Sequence, residues 1–77
     1  PEVQVRYDAL REWRKERALQ RGVESDVIVS REALWALAKR PPSSLEDLDG
    51  VPGLGPWRRA QYGRELLSIL AQAASED

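Results

Sequence analysis

Across Gly50-Val51-Pro52-Gly53-Leu54-Gly55-Pro56-Trp57-Arg58-Arg59 the chain has to turn sharply and then begin a helix. Pro56 suits the first helical position, where its missing N–H would have no intrahelical partner anyway. Gly53 and Gly55 tolerate positive φ and allow close backbone approach. The open N–H groups at such a helix start favour an anion, and Arg58 and Arg59 follow within one turn. A Gly-x-Gly turn opening a basic helix has two readings: a seat for a nucleic-acid phosphate, or a plain joint between packed helices.

Whatever surrounds this turn is small. The chain has 77 residues, the size of one domain with a marginal core. It has no Cys and no His, which removes disulfides, the usual zinc constellations and most nucleophile–base pairs. No apolar run approaches the roughly 20 residues that span a bilayer, and no signal-peptide pattern opens the chain. A start at Pro1 without Met is read as a domain, residues 1–77, cut from a longer cytoplasmic protein. The formal net charge is −1, against the strongly basic surface of a dedicated nucleic-acid domain. The charge is nevertheless local. Trp57 to Arg64 holds three arginines and no acid, whereas Ser43 to Gly55 holds three acids and no base. Ten of the twelve basic residues are Arg, the side chain suited to planar, stacked or bidentate recognition.

Hydrophobic periodicity predicts helices throughout. Tyr7, Leu10, Trp13 or Arg14, and Ala18 trace one face of a helix from about Val3 to Arg21, with Gly22 as its stop. Val27-Ile28-Val29 has no second strand to pair with, so a helical turn or an extended tuck into the core is expected. Ser30 caps a helix that turns Leu34, Leu37 and Ala38 inward and ends at Pro41-Pro42. Ser43 and Glu46 form a capping-box pattern for a short helix with Leu45 and Leu48 inward. The last helix is expected from Pro56 to about Ala74, with Tyr62, Leu66, Leu67, Ile69, Leu70 and Ala73 on its apolar face and the tail from Ser75 frayed. Trp57 falls off that face and is expected to be exposed. Trp13 is expected in the core and Trp35 at its rim.

Taken together, the helix Tyr7-Asp8-Ala9-Leu10-Arg11-Glu12-Trp13-Arg14, the run Pro42-Ser43-Ser44-Leu45-Glu46-Asp47-Leu48, Gly53-Leu54-Gly55 and Tyr62-Gly63 resemble the HRDC (helicase-and-RNase-D C-terminal) domain over nearly the full length. The resemblance implies an all-α, compact five-helix bundle. It also implies an accessory role in a RecQ-type ATP-dependent DNA helicase, with an RNase D-type nuclease as the lesser alternative, and hence DNA repair, recombination and replication. Leu45 to Tyr62 separately resembles a helix-hairpin-helix motif, which supports the phosphate reading of its Gly-x-Gly turn. One departure weakens that reading. Where strand-binding members often carry Pro-Pro and an aromatic after the first helix, this chain has Glu24-Ser25-Asp26, forfeiting stacking on the order of 1–3 kcal/mol per base.

The expectation is therefore an accessory domain with no active site, which binds single-stranded or branched DNA weakly and tunes its parent enzyme. The alternative is a protein-protein or inter-domain module on the same scaffold. Expected nucleic-acid contacts are Gly53, Gly55, Trp57, Arg58 and Arg59, supported by Arg14, Arg17 and Arg21. Expected partner contacts are Trp57, Asp26, Glu46 and Asp47. No metal or cofactor is expected in this domain, ATP and Mg belonging to the parent's motor. Expected partners are DNA, the parent's other domains or another protein, and weakly a second copy, with no membrane; in a bacterium the location would be the nucleoid.

Overall fold

In the computed structural model, which describes residues 2–75, the first periodic segment is helix α1 (Glu2–Arg21), with Tyr7, Leu10 and Ala18 buried. Gly22 ends it at φ +68°, where the Gly22 N–H donates to the Leu19 carbonyl and the Val23 N–H to the Ala18 carbonyl. This is the paired closure that a left-handed glycine makes possible at a helix end. A single turn, α2 (Ser25–Ile28), follows, and Ile28 and Val29 are wholly buried. Of the apolar triplet, Ile28 at the end of the turn and the extended Val29 enter the core, while Val27 stays exposed.

Ser30 caps α3 (Arg31–Lys39), its Oγ accepting from the Ala33 N–H at 3.1 Å. Ala33, Leu34, Leu37 and Ala38 are buried, and the helix stops before Pro41-Pro42. The next segment differs from expectation in three respects. Only Glu46–Leu48 is helical, as one 3-10 turn, and Leu45 is 41% exposed while Leu48 is fully buried. The cap is displaced by one residue: Ser44 Oγ accepts from the Asp47 N–H, and the Asp47 carboxylate accepts from the N–H and hydroxyl of Ser43. Asp47, rather than Glu46, closes the turn, one carboxylate oxygen meeting both Ser43 donors. Those bonds hold its carboxyl below the usual range.

Gly53, at φ +78°, lies where a Cβ would collide with Ser30 Oγ, so the loop of residues 49–55 can rest on the start of α3. Gly55 is not in the left-handed region and would meet nothing within 4 Å. Helix α4 (Pro56–Ser75) begins at Pro56 as expected, and buries Tyr62, Leu66, Leu70 and Ala73. Glu76 and Asp77 of the tail lie outside the described residues.

Helix α1 is the centre of the arrangement and packs against α2, α3 and α4. It runs antiparallel to α4, since residues 13, 17 and 21 of α1 meet 65, 62 and 57 of α4 in descending order. The described residues form four α-helices and one 3-10 turn, with no strand; the fifth helix of the expected bundle is the 3-10 turn. No helix among the described residues is long and apolar enough to cross a membrane.

Candidate nucleic-acid interface

The antiparallel contact of α1 and α4 stacks six aromatic and charged side chains outward from the core. At its base the Trp13 indole N–H donates to Glu65 Oε1 at 3.0 Å, and Arg17 holds the same carboxylate through both Nε and Nη2. The Arg17 bonds, with help from Trp13, keep Glu65 below the usual carboxylate range, although partial burial opposes them. Arg17 is in turn held firmly protonated by Glu65. Tyr62 is buried above this pair, edge-on to Trp13 at 5.5 Å and under the Arg17 guanidinium at 5.8 Å. The Tyr62 hydroxyl accepts from Arg21 Nη1 at 2.5 Å.

Trp57 completes the series at the surface. Its ring meets Tyr62 edge-on at 6.1 Å, the Arg21 guanidinium lies 5.7 Å from its centroid, and the residue is 57% exposed. It is therefore exposed yet held in place, by a cation–π contact and a T-shaped aromatic pair. Gln61 and Arg64, four and seven residues further along α4, are exposed on the same side of the helix. Arg64 is absent from the expected site, although its spacing from Trp57 would have found it.

The helix start beside Trp57 is less open than the turn alone implies. The Gly55 carbonyl accepts from the Arg59 N–H at 2.9 Å and begins the ladder. Pro56 has no N–H, so Trp57 and Arg58 carry the two backbone donors that the ladder leaves over. The side chains of the two arginines are engaged elsewhere. Arg58 donates to the carbonyls of Ile28 at 3.0 Å and Val27 at 3.1 Å, while Arg59 pairs with Asp49 at 3.0 Å. Arg14 is similarly turned inward, donating to the Val29 carbonyl at 3.1 Å with Asp26 at 3.6 Å.

The expected line of Arg14, Arg17 and Arg21 is thus divided. Arg14 fastens α2, Arg17 neutralises Glu65, and only Arg21 is exposed beside Trp57. Gly53 serves the contact with Ser30, and Gly55 opens α4. Of the expected partner contacts, Asp26 stands on α2, whereas Glu46 and Asp47 belong to the 3-10 turn, so the three acids occupy two separate elements. Among the described residues no group of acidic side chains is placed to hold a metal ion.

The described residues thus form an all-helical unit that presents an aromatic–arginine surface where α1 meets α4. The HRDC domain family model matches residues 3–70, and the chain belongs to that family. The solved structure described as D. radiodurans RecQ HRDC domain 3 superposes with a TM-score of 0.92 at 33% identity, covering 97% of this chain and 99% of that one. Ribonuclease D of Serratia proteamaculans is 37% identical over 65 residues, 84% of this chain and 17% of that protein. The ATP-dependent DNA helicase RecQ of Bacillus subtilis is 35% identical over 72 residues, 92% of this chain and 12% of that protein. The chain thus spans less than a fifth of the length of these curated relatives. Helicase and nuclease relatives match at similar identity, so the expected preference for a helicase parent is not supported.

Proposed function

We propose that this HRDC domain is an accessory nucleic-acid-binding module of a RecQ-type helicase or an RNase D-type nuclease, and that it meets single-stranded or branched nucleic acid weakly at the Trp57 end of the α1–α4 pair. The observation that carries this reading is the exposed Trp57 indole held against the Arg21 guanidinium. An unstacked base requires a flat π-surface and its phosphate requires a nearby cation. A base on such a ring is stabilised by about 1–3 kcal/mol. Arg64 and the open N–H groups of Trp57 and Arg58 supply further donors on the same side. Affinity is low because the net charge is −1 and because the connection after α1 carries the carboxylates of Glu24 and Asp26, which repel phosphate and offer no ring to stack on. Any ATP and Mg requirement belongs to the parent's other domains.

A second reading, a contact with a neighbouring domain, is favoured by the same exposed Trp57 and by the mildly acidic charge. The discriminating experiment is a titration of a labelled thymidine oligonucleotide, followed by anisotropy at low and moderate salt. Binding should fall with salt, each neutralised phosphate adding about −0.7 to the logarithmic slope. Trp57→Ala and Arg21→Ala should each weaken it about tenfold, equivalent to ~1.4 kcal/mol. Binding indifferent to both substitutions contradicts the proposal. Absence of oligonucleotide binding together with Trp57-dependent association with the parent's other domains supports the second reading instead.

A further inference from the structure

A second surface, remote in sequence from the Trp57 end, lies along α3. Glu32, Trp35, Ala36, Lys39 and Arg40 line a shallow, mostly apolar groove of about 620 Å³. Trp35 forms its floor, stacked on the buried Tyr7 with ring centroids 3.9 Å apart and planes within 13°. The indole is half-buried and so already fixed before anything docks against it. Arg6 braces the far end of α3 by donating to the Ala38 carbonyl at 2.6 Å. The groove is therefore rigid, and its charges are distributed unevenly. Glu32 stands at one end and Lys39 with Arg40 at the other, all three exposed.

The arrangement has a particular symmetry. Seven residues of helix separate Glu32 from Lys39, about 10.5 Å at 1.5 Å per residue. The midpoint of the charged ends falls at Trp35 and Ala36, which are the apolar centre of the groove. A ligand complementary to this surface would carry a cationic end, an apolar middle and an anionic end in the opposite order. The same α3 face of a second copy, rotated by a two-fold axis through Trp35 and Ala36, meets that description. Such an interface is self-complementary: each Glu32 faces the other copy's Lys39 and Arg40, and the small Ala36 side chains let the helices approach.

We propose that the α3 groove is the contact surface of an antiparallel, two-fold homodimer of this domain. The inference does not depend on the nucleic-acid reading, which uses a different face. The contact is one helix face wide, so the dimer is weak and forms at high concentration or when parent chains are brought together.

Charge reversal provides a test that a general loss of stability would not imitate. Sedimentation velocity of the unaltered chain, free of nucleic acid, should show mass rising with concentration from 8.7 kDa towards twice that value. Glu32→Lys should place cation against cation and raise the dimer dissociation constant at least tenfold. Lys39→Glu with Arg40→Glu should do the same by placing anion against anion. An equimolar mixture of the two variants restores both pairs of opposite charges, so it should associate at least as well as the unaltered chain. Circular dichroism on each variant confirms that its helices are intact. A chain that stays monomeric up to about 1 mM, where binding is still worth only ~4 kcal/mol, overturns the proposal. So does a dimer whose stability ignores these charges, or a variant pair that is folded but fails to associate when mixed.

Discussion

Two tryptophans on facing helices, linked through one tyrosine, have opposite roles. Trp13 packs against Tyr62 and gives its N–H to Glu65, whereas Trp57 leaves more than half its surface in solvent. Trp13 is half-buried against the core rather than enclosed in it, so Trp13→Ala should cost about 3 kcal/mol in chemical denaturation, the lower end for large aromatic truncations. Trp57→Ala should cost about 1 kcal/mol or less, the value of one edge contact and one exposed cation–π contact. Equal losses would place Trp57 in the stability of the fold and remove it from the proposed surface. The two glycines of the Gly-x-Gly turn should separate as clearly. Gly53→Ala imposes a left-handed conformation costing ~1–2 kcal/mol and displaces the Ser30 cap, worth about another 1 kcal/mol. Gly55→Ala meets open space without positive φ and should cost no more than ~1 kcal/mol, the preference for Gly over Ala at a helix N-cap. From the sequence both glycines look alike, because what distinguishes them is the approach of Ser30, more than twenty residues away.

At the scale of elements, the two long helices hold the short one by its carbonyls. Arg14 from α1 and Arg58 from α4 together take the carbonyls of Val27, Ile28 and Val29, the end of α2 where no further helical turn would satisfy them. Arg58→Ala should lose about 2 kcal/mol of stability, since charged hydrogen bonds to partly buried carbonyls are among the stronger ones. Hydrogen exchange at the α2–α3 junction should speed up. Arg58→Lys should recover little, because a single ammonium cannot reproduce the fork that meets two carbonyls. Glu65 joins α1 to α4 and carries a pH dependence of its own. Its folded carboxyl titrates below the ordinary value of 4.5, so its contribution is complete above that value and is lost as pH falls through the lower folded one. Glu65→Gln should flatten the stability curve on the acid side of 4.5 while lowering stability at neutral pH; an unchanged acid limb would rule out this role. Helix existence was legible in the sequence wherever apolar spacing ran over several turns, as at Leu10–Ala18 and Leu66–Leu70. The segment around Leu45 was not, because a single 3-10 turn is too short to impose a period on its apolar residues.

Over the whole molecule, the HRDC fold could be read from spaced motifs because they span nearly all of it, and the exposure of Trp57 followed from its place off the α4 stripe. The disposition of the arginines could not. Arg14, Arg17, Arg58 and Arg59 lie in basic-looking runs, yet each finds an internal acceptor supplied by a distant segment, namely Val29, Glu65, Ile28 and Asp49. Sequence reports the local charge of a stretch; only the packing of α2 and the loop of residues 49–55 against the long helices reveals which charges are already satisfied. Of the arginines expected to meet nucleic acid only Arg21 stays exposed, beside Trp57 where α4 begins and α1 ends, with Arg64 on the same side of α4. Whether nucleic acid is met there is tested most directly by a two-dimensional proton–nitrogen NMR titration of the dilute domain with a short thymidine oligonucleotide. The Trp57 indole and the amides of Arg21, Gln61 and Arg64 should shift together and saturably, while the Trp35 indole in the α3 groove stays where it is. Shifts centred on Trp35 or on the 3-10 turn, with the Trp57 indole unmoved, would contradict this placement.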